Sequence, residues 1–558
     1  MTADVVGWPS ADTERYRNAG YWRDESFADF LTPRARAHGD RLALVDDRTR
    51  LSYAELDEQS DRVARGLGSL GIAAGDRVLV QLPNRAEFVL LWFALVKIGA
   101  VPVHTQPGHR SSEMTHLARL SGAVAYAIPD RHADFDHRLL ARAVQTASPA
   151  LTHVIVVGDP GNDTGFTSFT DLLASEAADP TDPTDPADAA APTAPVPTSS
   201  ARGTDLAVLL LSGGTTGLPK LIPRTHDDYL YNGRAAGEVC ALTEHSVYLA
   251  ALPVAFNYTW NCPGVLGTLG VGGTVVLASN PDPDYCFGLI EREGVTVAAI
   301  NPQMAPVWLD EVSMTDADLS TLRVLQIGSA RLADEMAAQV MAGFGCTIQQ
   351  VFGMAEGLLC LTRLNDPPEI IRTAQGRPIS PADEVRVVDP DDRDVPDGDP
   401  GELLTRGPYT LRGYYRAAEH NAKSFTADGF YRSGDLVRRL PSGHLVVVGR
   451  SKDQINRGGE KIPATEVEGH LLAHPAIRSV ALVAAPDPDF GERSVAFVVP
   501  TGDTAPDRRE LAVFLADRGV AAYKAPDEVR TLRVMPLTPV GKMDKKVLSA
   551  SVRDGSAG

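Results

Sequence analysis

The chain has 558 residues, of which 44% are hydrophobic and 22% charged, and its formal net charge is −19 at pH 7. This length predicts several domains with a large buried core, and the composition excludes disorder of the chain as a whole. The acidic balance argues against a broad nucleic-acid-binding surface, because such a surface replaces phosphate counterions with Lys and Arg.

The sequence indicates neither disulfides nor export. The five cysteines are scattered and form no C-x-x-C, so we expect no disulfide framework and no zinc site. The N-terminal sequence MTADVVGWPSADTERYRNAG lacks the charged-then-apolar order of a signal peptide. The longest apolar run, Phe88–Val96, is well short of the ~20 residues that span a bilayer. We therefore expect a cytoplasmic protein that binds no membrane and no nucleic acid.

Short β-branched apolar runs alternate with segments of helical length through most of the chain. Examples in chain order are AVLLLS (Ala207–Ser212), TVVLAS (Thr274–Ser279) and VTVAAI (Val295–Ile300). Apolar strands separated in this way predict sheets with helices on both faces, so the predicted fold class is α/β.

Two breaks interrupt this pattern. The segment Asp179–Ser200 repeats Pro, Thr, Asp and Ala, a composition that buries too little apolar surface to order the chain, so we predict a disordered surface loop. Near Gly449 the strand-like HLVVVGR gives way to a polar, glycine-bearing stretch, and an amphipathic helix begins at about Pro463. We predict a large N-terminal domain of residues 1–449 and a small mobile α+β domain of residues 450–558.

The segment LSGGTTGLPK (Leu211–Lys220) places glycines and hydroxyls in front of a lysine, as a phosphate-binding loop requires. It does not fit the common pattern G-x-x-x-x-G-K-[ST], because Lys220 stands three residues after the last glycine and Leu221 occupies the Ser/Thr position. Taken alone, the segment is better explained as a glycine-rich turn.

Further motifs follow this loop in order along the chain. They are VFGMAEG (Val351–Gly357), GELLTRGPYTLRGYY (Gly401–Tyr415), YRSGDLV (Tyr431–Val437), GRSKDQINRGGEK (Gly449–Lys461) and PVGKMDKK (Pro539–Lys546). Together with the loop they make the chain resemble, over essentially its whole length, the adenylate-forming superfamily of acyl-CoA synthetases, luciferases and nonribosomal peptide adenylation domains. The resemblance implies an enzyme that joins a carboxylate to AMP, with ATP and Mg²⁺ as cofactors.

The resemblance also implies roles for individual residues. Lys542 would be the catalytic lysine, Glu356 the Mg²⁺ ligand and Lys220 a cation for the departing pyrophosphate. Asp435 would hold the ribose hydroxyls, with Arg450 near the ribose and phosphates. The implied ATP-binding residues are Ser212, Gly213, Gly214, Thr215, Thr216, Gly217, Lys220, Gly328, Val351, Phe352, Gly353, Asp435, Arg450 and Lys542.

Members of this superfamily use a second conformation, in which the small domain rotates. By resemblance the hinge is Lys452, and the phosphopantetheine thiol tunnel is lined by Gly458, Gly459 and Lys461. One departure from the pattern is Ala355, where many relatives have threonine, so one phosphate contact is missing or supplied elsewhere.

The stretch LPVAFNYTWNCPGVLG (Leu252–Gly267) is similar to one branch, the stand-alone aryl-acid AMP ligases that load 2,3-dihydroxybenzoate or salicylate. In that branch an asparagine that matches Asn257 recognises the 2-hydroxyl of the ring. Cys262 and Leu359 replace the serine and valine of dihydroxybenzoate ligases, and a thiol is a poor partner for a ring hydroxyl, so salicylate is favoured. The implied substrate-binding residues are Phe256, Asn257, Tyr258, Cys262, Gly328, Ser329, Met354 and Leu359.

The predicted reaction forms aryl-AMP and then transfers the aryl group to the phosphopantetheine of an aryl carrier protein, in siderophore or nonribosomal peptide biosynthesis. The carrier is expected in trans, because no carrier domain follows Lys546. Phe256, where many aryl-acid ligases have His, and the bulky Trp260 keep 2,3-dihydroxybenzoate, anthranilate and a hydroxypicolinate open as substrates. An aryl-CoA ligase and an inactive adenylate-binding scaffold are the alternative functions, and the intact set of charged site residues argues against the scaffold.

Overall fold

The structure is a computed structural model that describes residues 4–174, 200–212, 219–450, 453–457, 460–488, 490–518, 520, 522–538 and 541–553. Several predictions lie outside these ranges: nearly all of the loop 179–200, the glycines and threonines of the phosphate loop (213–217), the hinge at Lys452, and the tunnel glycines 458 and 459. No helix of the described residues is long and apolar enough to cross a membrane.

The first large sheet has nine strands among the described residues and is parallel in its centre. Its strands, from one edge to the other, are β18 (Arg377–Pro378), β17 (Leu359–Leu361), β16 (Thr347–Gly353), β15 (Val324–Gly328), β14 (Val297–Ile300), β12 (Val247–Ala250), β13 (Thr274–Leu277), β1 (Leu42–Val45) and β2 (Arg50–Ser52). Only β2, β17 and β18, at the two edges, run antiparallel to their neighbours.

The second large sheet has seven strands in the described part of the chain. In spatial order they are β11 (Leu221–Thr225), β10 (Leu206–Leu211), β4 (Val101–His104), β3 (Arg77–Val80), β5 (Ala125–Pro129), β8 (His153–Val157) and β9 (Phe166–Ser168). Strands β10 and β11 form an antiparallel pair that the predicted phosphate loop connects, and the other pairs are parallel. A small hairpin, β6 (Arg131–His132) and β7 (Phe135–Asp136), follows β5.

Helices surround and separate these sheets. In chain order they are α1 (Ser10–Asn18), α2 (Leu31–His38), α3 (Tyr53–Ser69), α4 (Ala86–Lys97), α5 (Ser111–Ser121), α6 (His137–Ala147), α7 (Phe169–Leu173), α8 (His226–Val239), α9 (Asn257–Asn261), α10 (Gly264–Gly270), α11 (Pro283–Glu293), α12 (Met304–Val312), α13 (Asp334–Gly343), α14 (Pro368–Thr373), α15 (Ala418–Ser424), α16 (Ala464–Leu471), α17 (Arg508–Asp517) and α18 (Lys545–Arg553).

Two smaller sheets complete the molecule. One is antiparallel and consists of β19 (Glu384–Val388), β20 (Pro400–Arg406), β21 (Tyr431–Arg439) and β22 (Leu445–Arg450). The other contains β24 (Glu460–Pro463), β23 (Gln454–Arg457), β26 (Gly491–Pro500), β25 (Ile477–Asp487) and β27 (Glu528–Thr531), with α16 and α18 packed on β25. The chain thus changes sheets between Arg450 and Gln454.

The main hydrophobic core lies between the two large sheets. It joins residues of both sheets, such as Tyr248 and Val208, with the apolar residues of α4. This helix contains the longest apolar run of the sequence and is buried on every side, as is typical of an apolar helix of this length in a globular core.

The α/β prediction is confirmed. Strands β10, β13 and β14 begin within two residues of the predicted runs, because strands buried on both faces of a parallel sheet are continuously apolar. Helix α16 begins at Ala464, one residue after the predicted start.

Candidate active site

The candidate site forms where parallel strands of the first sheet end. Strands β15 and β16 pair Gly328 with Val351, so the ends of both strands lie side by side. In sheets of this kind ligands bind beyond the carboxyl ends of the strands. A side chain on Gly328 would come within 2.8 Å of Val351 and 3.1 Å of the Tyr258 ring, so only glycine fits between these two residues without displacing them. The next residue, Ser329, has φ +71°, a strained conformation for serine that is typical of functional sites.

Asn84 supports the segment that carries the predicted aryl-acid residues. This buried side chain donates hydrogen bonds to the carbonyls of Ala250 and Leu252, both at 3.0 Å, and accepts one from the Val254 N–H at 2.8 Å. Helix α9 then begins at Asn257, which is only partly buried. A loop held in this way presents its side chains with little freedom.

Asn257 contacts two polar side chains, Tyr229 on α8 and Cys262 just after α9. Its Oδ1 accepts a hydrogen bond from the Tyr229 hydroxyl at 2.8 Å, and its Nδ2 lies 3.5 Å from the Cys262 sulfur. Cys262 and Leu359 are buried in the same cluster, and burial raises the pKa of Cys262 to about 12. The Cys262 thiol is therefore neutral near pH 7.

The two bulky residues of this loop occupy different places. Trp260 is fully buried, and its ring packs against Phe88, Trp92 and His104 in the core. Phe256 stays partly exposed at the start of α9, with Tyr258. Of these two bulky residues, then, Phe256 has surface left to offer a ligand and Trp260 has none.

Glu356 lies in a cluster with the side chains of Tyr414, Tyr431 and Lys220. The Tyr414 hydroxyl donates to Glu356 Oε1 at 2.8 Å and lies 2.8 Å from the Tyr431 hydroxyl. Burial raises the pKa of Glu356, and the Tyr414 hydrogen bond opposes that effect. The Lys220 ammonium lies 5.6 Å from the centre of the Tyr414 ring, so the end of the phosphate loop reaches the same cluster.

Two hydrogen bonds connect the ends of the predicted phosphate loop. Ser212 N–H donates to the Lys220 carbonyl at 3.0 Å, and Lys220 N–H donates to Ser212 Oγ at 3.1 Å. Both ends of the loop therefore lie at the tip of the β10–β11 pair. From the second large sheet, this tip presents Lys220 to the Glu356 cluster.

An ion pair between a buried aspartate and a partly exposed arginine forms the second half of the site. Arg450 Nε lies 2.9 Å from Asp435 Oδ1 in the paired strands β21 and β22. Burial raises the pKa of Asp435, while the Arg450 charge lowers it. Lys542, from the C-terminal part of the chain, is within electrostatic reach of Arg450, Asp435 and Glu356. Desolvation lowers the pKa of Lys542, and the Arg450 cation adds to this effect.

The strand β16 and the turn after it link the two halves. Phe352 and Met354 are partly buried, Gly353 is exposed and Val351 is buried. A side chain on Gly353 would lie 2.8 Å from Leu359 Cδ1, so this glycine permits close contact with the pocket wall. Predicted ATP-binding residues at the end of β16 are thus followed directly by Met354, a predicted aryl-acid residue.

Sequence reasoning did not single out three side chains that organise the site. Tyr414 and Tyr229 bond directly to Glu356 and Asn257, and the buried Arg224 donates to the Ala355 carbonyl at 3.2 Å. Arg224 and Tyr229 belong to PRTHDDYLYN, and Tyr414 to GPYTLRGYY, but their partners are remote in sequence.

One carboxylate is available for the predicted Mg²⁺. In the described part of the chain no group of three or more His, Cys, Asp or Glu side chains could hold a metal ion. Glu356 has one oxygen bonded to Tyr414. In nucleotide enzymes Mg²⁺ is held by one or two carboxylates together with substrate phosphates, so this donor set fits a metal that arrives with ATP.

The AMP-binding enzyme model matches residues 31–415, and the model of its C-terminal domain matches residues 466–542. The chain belongs to the AMP-binding enzyme family. The resemblance to adenylate-forming enzymes is therefore confirmed, and the chain is an adenylating ligase. Glu356 and Tyr414 lie in the first matched region, and Lys542 lies in the second.

The chain is similar over nearly its whole length to several aryl-acid ligases. The 2,3-dihydroxybenzoate-AMP ligase of Bacillus subtilis (strain 168) is 52% identical over 99% of this chain and 98% of that protein. The salicyl-AMP ligase / salicyl-S-ArCP synthetase of Mycobacterium tuberculosis (strain ATCC 25618 / H37Rv) is 46% identical over 97% of this chain and 94% of that protein. The apo structure of Mycobacterium smegmatis MbtA has 45% identity and a TM-score of 0.74, covering 98% of this chain and 99% of that chain.

Proposed function

We propose that the chain activates salicylate as salicyl-AMP and passes the salicyl group to the phosphopantetheine thiol of an aryl carrier protein. The observation that supports adenylation most strongly is that Lys542 lies within electrostatic reach of Asp435, Arg450 and Glu356. A cation from the C-terminal part of the chain thus interacts electrostatically with the carboxylates and the arginine that the family assigns to ATP. Asn257 is connected to this group, because Arg224 contacts the Tyr229 ring and donates to the carbonyl of Ala355, the residue before Glu356.

In the first step a carboxylate oxygen of the acid attacks the α-phosphorus of ATP. A new P–O bond forms as the bond to the pyrophosphate oxygen breaks, and pyrophosphate leaves. Negative charge grows on the phosphoryl oxygens, where the Lys542 ammonium and the Arg450 guanidinium stabilise it. Asp435 holds the ribose, and Lys220 accompanies the pyrophosphate. Mg²⁺ held by Glu356 would neutralise phosphate charge when ATP is bound.

In the second step the thiol sulfur attacks the acyl carbon of salicyl-AMP. The C–O bond to AMP breaks, so the products are a thioester, AMP and a proton. Proximity supplies much of the rate in both steps, because each reactant is held in line with its partner.

Salicylate is preferred to 2,3-dihydroxybenzoate for a chemical reason. The Cys262 thiol is neutral, lies next to the Asn257 amide and offers a second ring hydroxyl only a weak partner. The dihydroxy acid is the second candidate, because the relative at 52% identity is named for it.

The test is ATP/pyrophosphate exchange with a panel of salicylate, 2,3-dihydroxybenzoate, 2-aminobenzoate, 3-hydroxypicolinate and benzoate. We expect the highest kcat/KM with salicylate and little exchange with benzoate. A preference for 2,3-dihydroxybenzoate would contradict the assignment of salicylate as the substrate. Absence of exchange with every acid would contradict the proposed adenylation of an aryl acid. Free CoA and a phosphopantetheinylated aryl carrier protein, supplied as rival acceptors, distinguish a CoA ligase from a carrier-loading enzyme.

A further inference from the structure

The orientation of the Asn257 amide is determined by a buried tyrosine. Tyr229 lies on α8 and is fully buried, with its hydroxyl 2.8 Å from Asn257 Oδ1. Among the described residues this hydroxyl has no other hydrogen-bond partner. The Asn257 Nδ2 lies on the other side of the amide, toward Cys262 at 3.5 Å.

The reverse orientation of the amide is energetically worse. If the amide were rotated, Nδ2 would donate to the Tyr229 oxygen, and the buried phenolic proton would have no acceptor in the described part of the chain. An unsatisfied buried donor carries the full cost of its desolvation. Since a phenol is a good donor and an amide oxygen a good acceptor, the observed pairing satisfies both groups.

Arg224 strengthens this arrangement from below the tyrosine ring. Its guanidinium carbon lies 4.7 Å from the centre of the Tyr229 ring, and its Nε is 2.7 Å from Asp228 Oδ1. All three side chains are buried. A cation against the ring withdraws electron density from the phenol, so the Tyr229 hydroxyl becomes a stronger donor to Asn257.

We infer that Tyr229 fixes the Asn257 amide with its NH₂ group toward the aryl-acid pocket, so that the pocket selects acids whose ortho substituent accepts a hydrogen bond. This rests on the proposed function, in which the ortho group of the ring meets Asn257. The hydroxyl oxygen of salicylate accepts such a bond. The amino group of 2-aminobenzoate is nearly the same size but presents N–H donors to an N–H donor, because its nitrogen lone pair is delocalised into the ring.

The test compares kcat/KM for salicylate and 2-aminobenzoate in ATP/pyrophosphate exchange. The unaltered chain should prefer salicylate. Tyr229→Phe removes the hydroxyl that fixes the amide, and the salicylate preference should fall on the order of tenfold. The ratio of two nearly isosteric acids is the readout, since a general loss of packing would lower both rates together. Tyr231→Phe is the matched control: its hydroxyl lies two residues along the same helix and bonds to Ser380 Oγ at 2.6 Å, so the ratio should not change.

A second variant tests the same inference without removing the tyrosine. Asn257→Asp offers the ortho group only acceptor oxygens, so the preference should reverse toward 2-aminobenzoate. An unchanged ratio in Tyr229→Phe or in Asn257→Asp would overturn the inference, and so would an unaltered chain that uses both acids equally well. These outcomes leave salicylate activation intact, whereas failure of the unaltered chain to activate either acid would overturn the proposed function instead.

Discussion

Cys262 and Leu359 come from different elements, the turn after α9 and strand β17, yet both are buried in one cluster. Leu359 is enclosed on several sides: its N–H donates to the Tyr409 hydroxyl at 3.3 Å, and Gly353 permits contact with its Cδ1. In a closely packed interior such a side chain cannot move away from a ligand, so its volume sets the space that a ring can use.

This packing gives a prediction for substrate choice. Cys262→Ser provides a hydroxyl that donates and accepts, and Leu359→Val removes a methylene, so the double variant should accept a 3-hydroxyl. We expect kcat/KM for 2,3-dihydroxybenzoate relative to salicylate to rise by about tenfold. The two changes should reinforce each other, because the new hydroxyl is useful only when the ring fits. Single and double variants are compared in ATP/pyrophosphate exchange.

Cys360→Ser is the matched control for that experiment. Cys360 is the next residue of β17 and lies in a different core cluster, on the opposite face of the strand. Cys360→Ser should change the stability of the protein but not the ratio of kcat/KM for the two acids. An unchanged ratio in the double variant would remove Cys262 and Leu359 from the specificity determinants.

At the scale of single residues, motif order was enough to predict Asn257 and Glu356, because each stands in a short local pattern. Their partners could not be predicted in this way. Tyr229 is 28 residues from Asn257, and Tyr414 is 58 residues from Glu356, so each pairing depends on how strands and helices assemble. The burial of Trp260 in the core could not be predicted from the sequence either, since the same segment carries the predicted substrate-binding residues Asn257 and Cys262.

At the scale of elements, the segment before β19 holds an unusual acid, Asp383, which is partly buried. Asp383 Oδ2 accepts from the Tyr409 hydroxyl at 2.5 Å and from the Ser380 N–H at 3.2 Å, while its Oδ1 has no partner in the described part of the chain. Burial raises the pKa of Asp383 to about 7, and the hydrogen bond from Tyr409 opposes this. Tyr409 also bonds to Leu359, so the acid is connected to the pocket wall.

This acid makes stability depend on pH. The pKa of Asp383 is higher in the folded chain than the ordinary 3.8, so folding favours the protonated carboxyl. The contribution of Asp383 to the free energy of unfolding is fully present below about pH 4 and is lost as pH rises through about 7. Asp383→Asn should therefore gain stability relative to the unaltered chain between about pH 5 and about pH 8, by a few kcal/mol at most.

Denaturant midpoints at the two pH values measure this difference. The exposed Asp391→Asn is the control and should show the same difference from the unaltered chain at both. A pH-independent effect of Asp383→Asn would contradict the raised pKa.

The elements themselves were predictable to different degrees. Buried parallel strands such as β13 are continuous apolar runs and could be located within about two residues. Their order in the sheet could not, because β1 pairs with β13 more than two hundred residues away, and a run of apolar residues carries no information about its neighbour. The sequence suggested helices on both faces but not that the two large sheets share one core.

At the scale of the whole molecule, an ion pair connects the C-terminal part of the chain to a helix beside the first large sheet. Arg518 pairs with Glu335 on α13, and both side chains are partly exposed. An ion pair of this kind is individually weak, so it can be exchanged for another contact without a large cost in stability. Rotation of the small domain between the two half-reactions remains a prediction, and its proposed hinge lies outside the described residues.

Lys542 provides the test of that rotation. In the present arrangement its ammonium is within electrostatic reach of Asp435, Arg450 and Glu356, where we expect it to stabilise charge on the α-phosphate. If Lys542 serves only this step, Lys542→Ala should reduce salicyl-AMP formation on the order of a hundredfold or more, the usual effect of removing one charge-stabilising donor. Transfer of the acyl group from supplied salicyl-AMP to carrier protein should be nearly unchanged, because the rotated domain no longer holds Lys542 at the phosphate. The exposed Lys546→Ala, four residues further along, is the control and should affect neither step. The two half-reactions are measured separately, by pyrophosphate exchange and by single-turnover loading of the carrier. Equal losses in both would mean that Lys542 stays in the site throughout, and the rotation would have to be abandoned while adenylation stood.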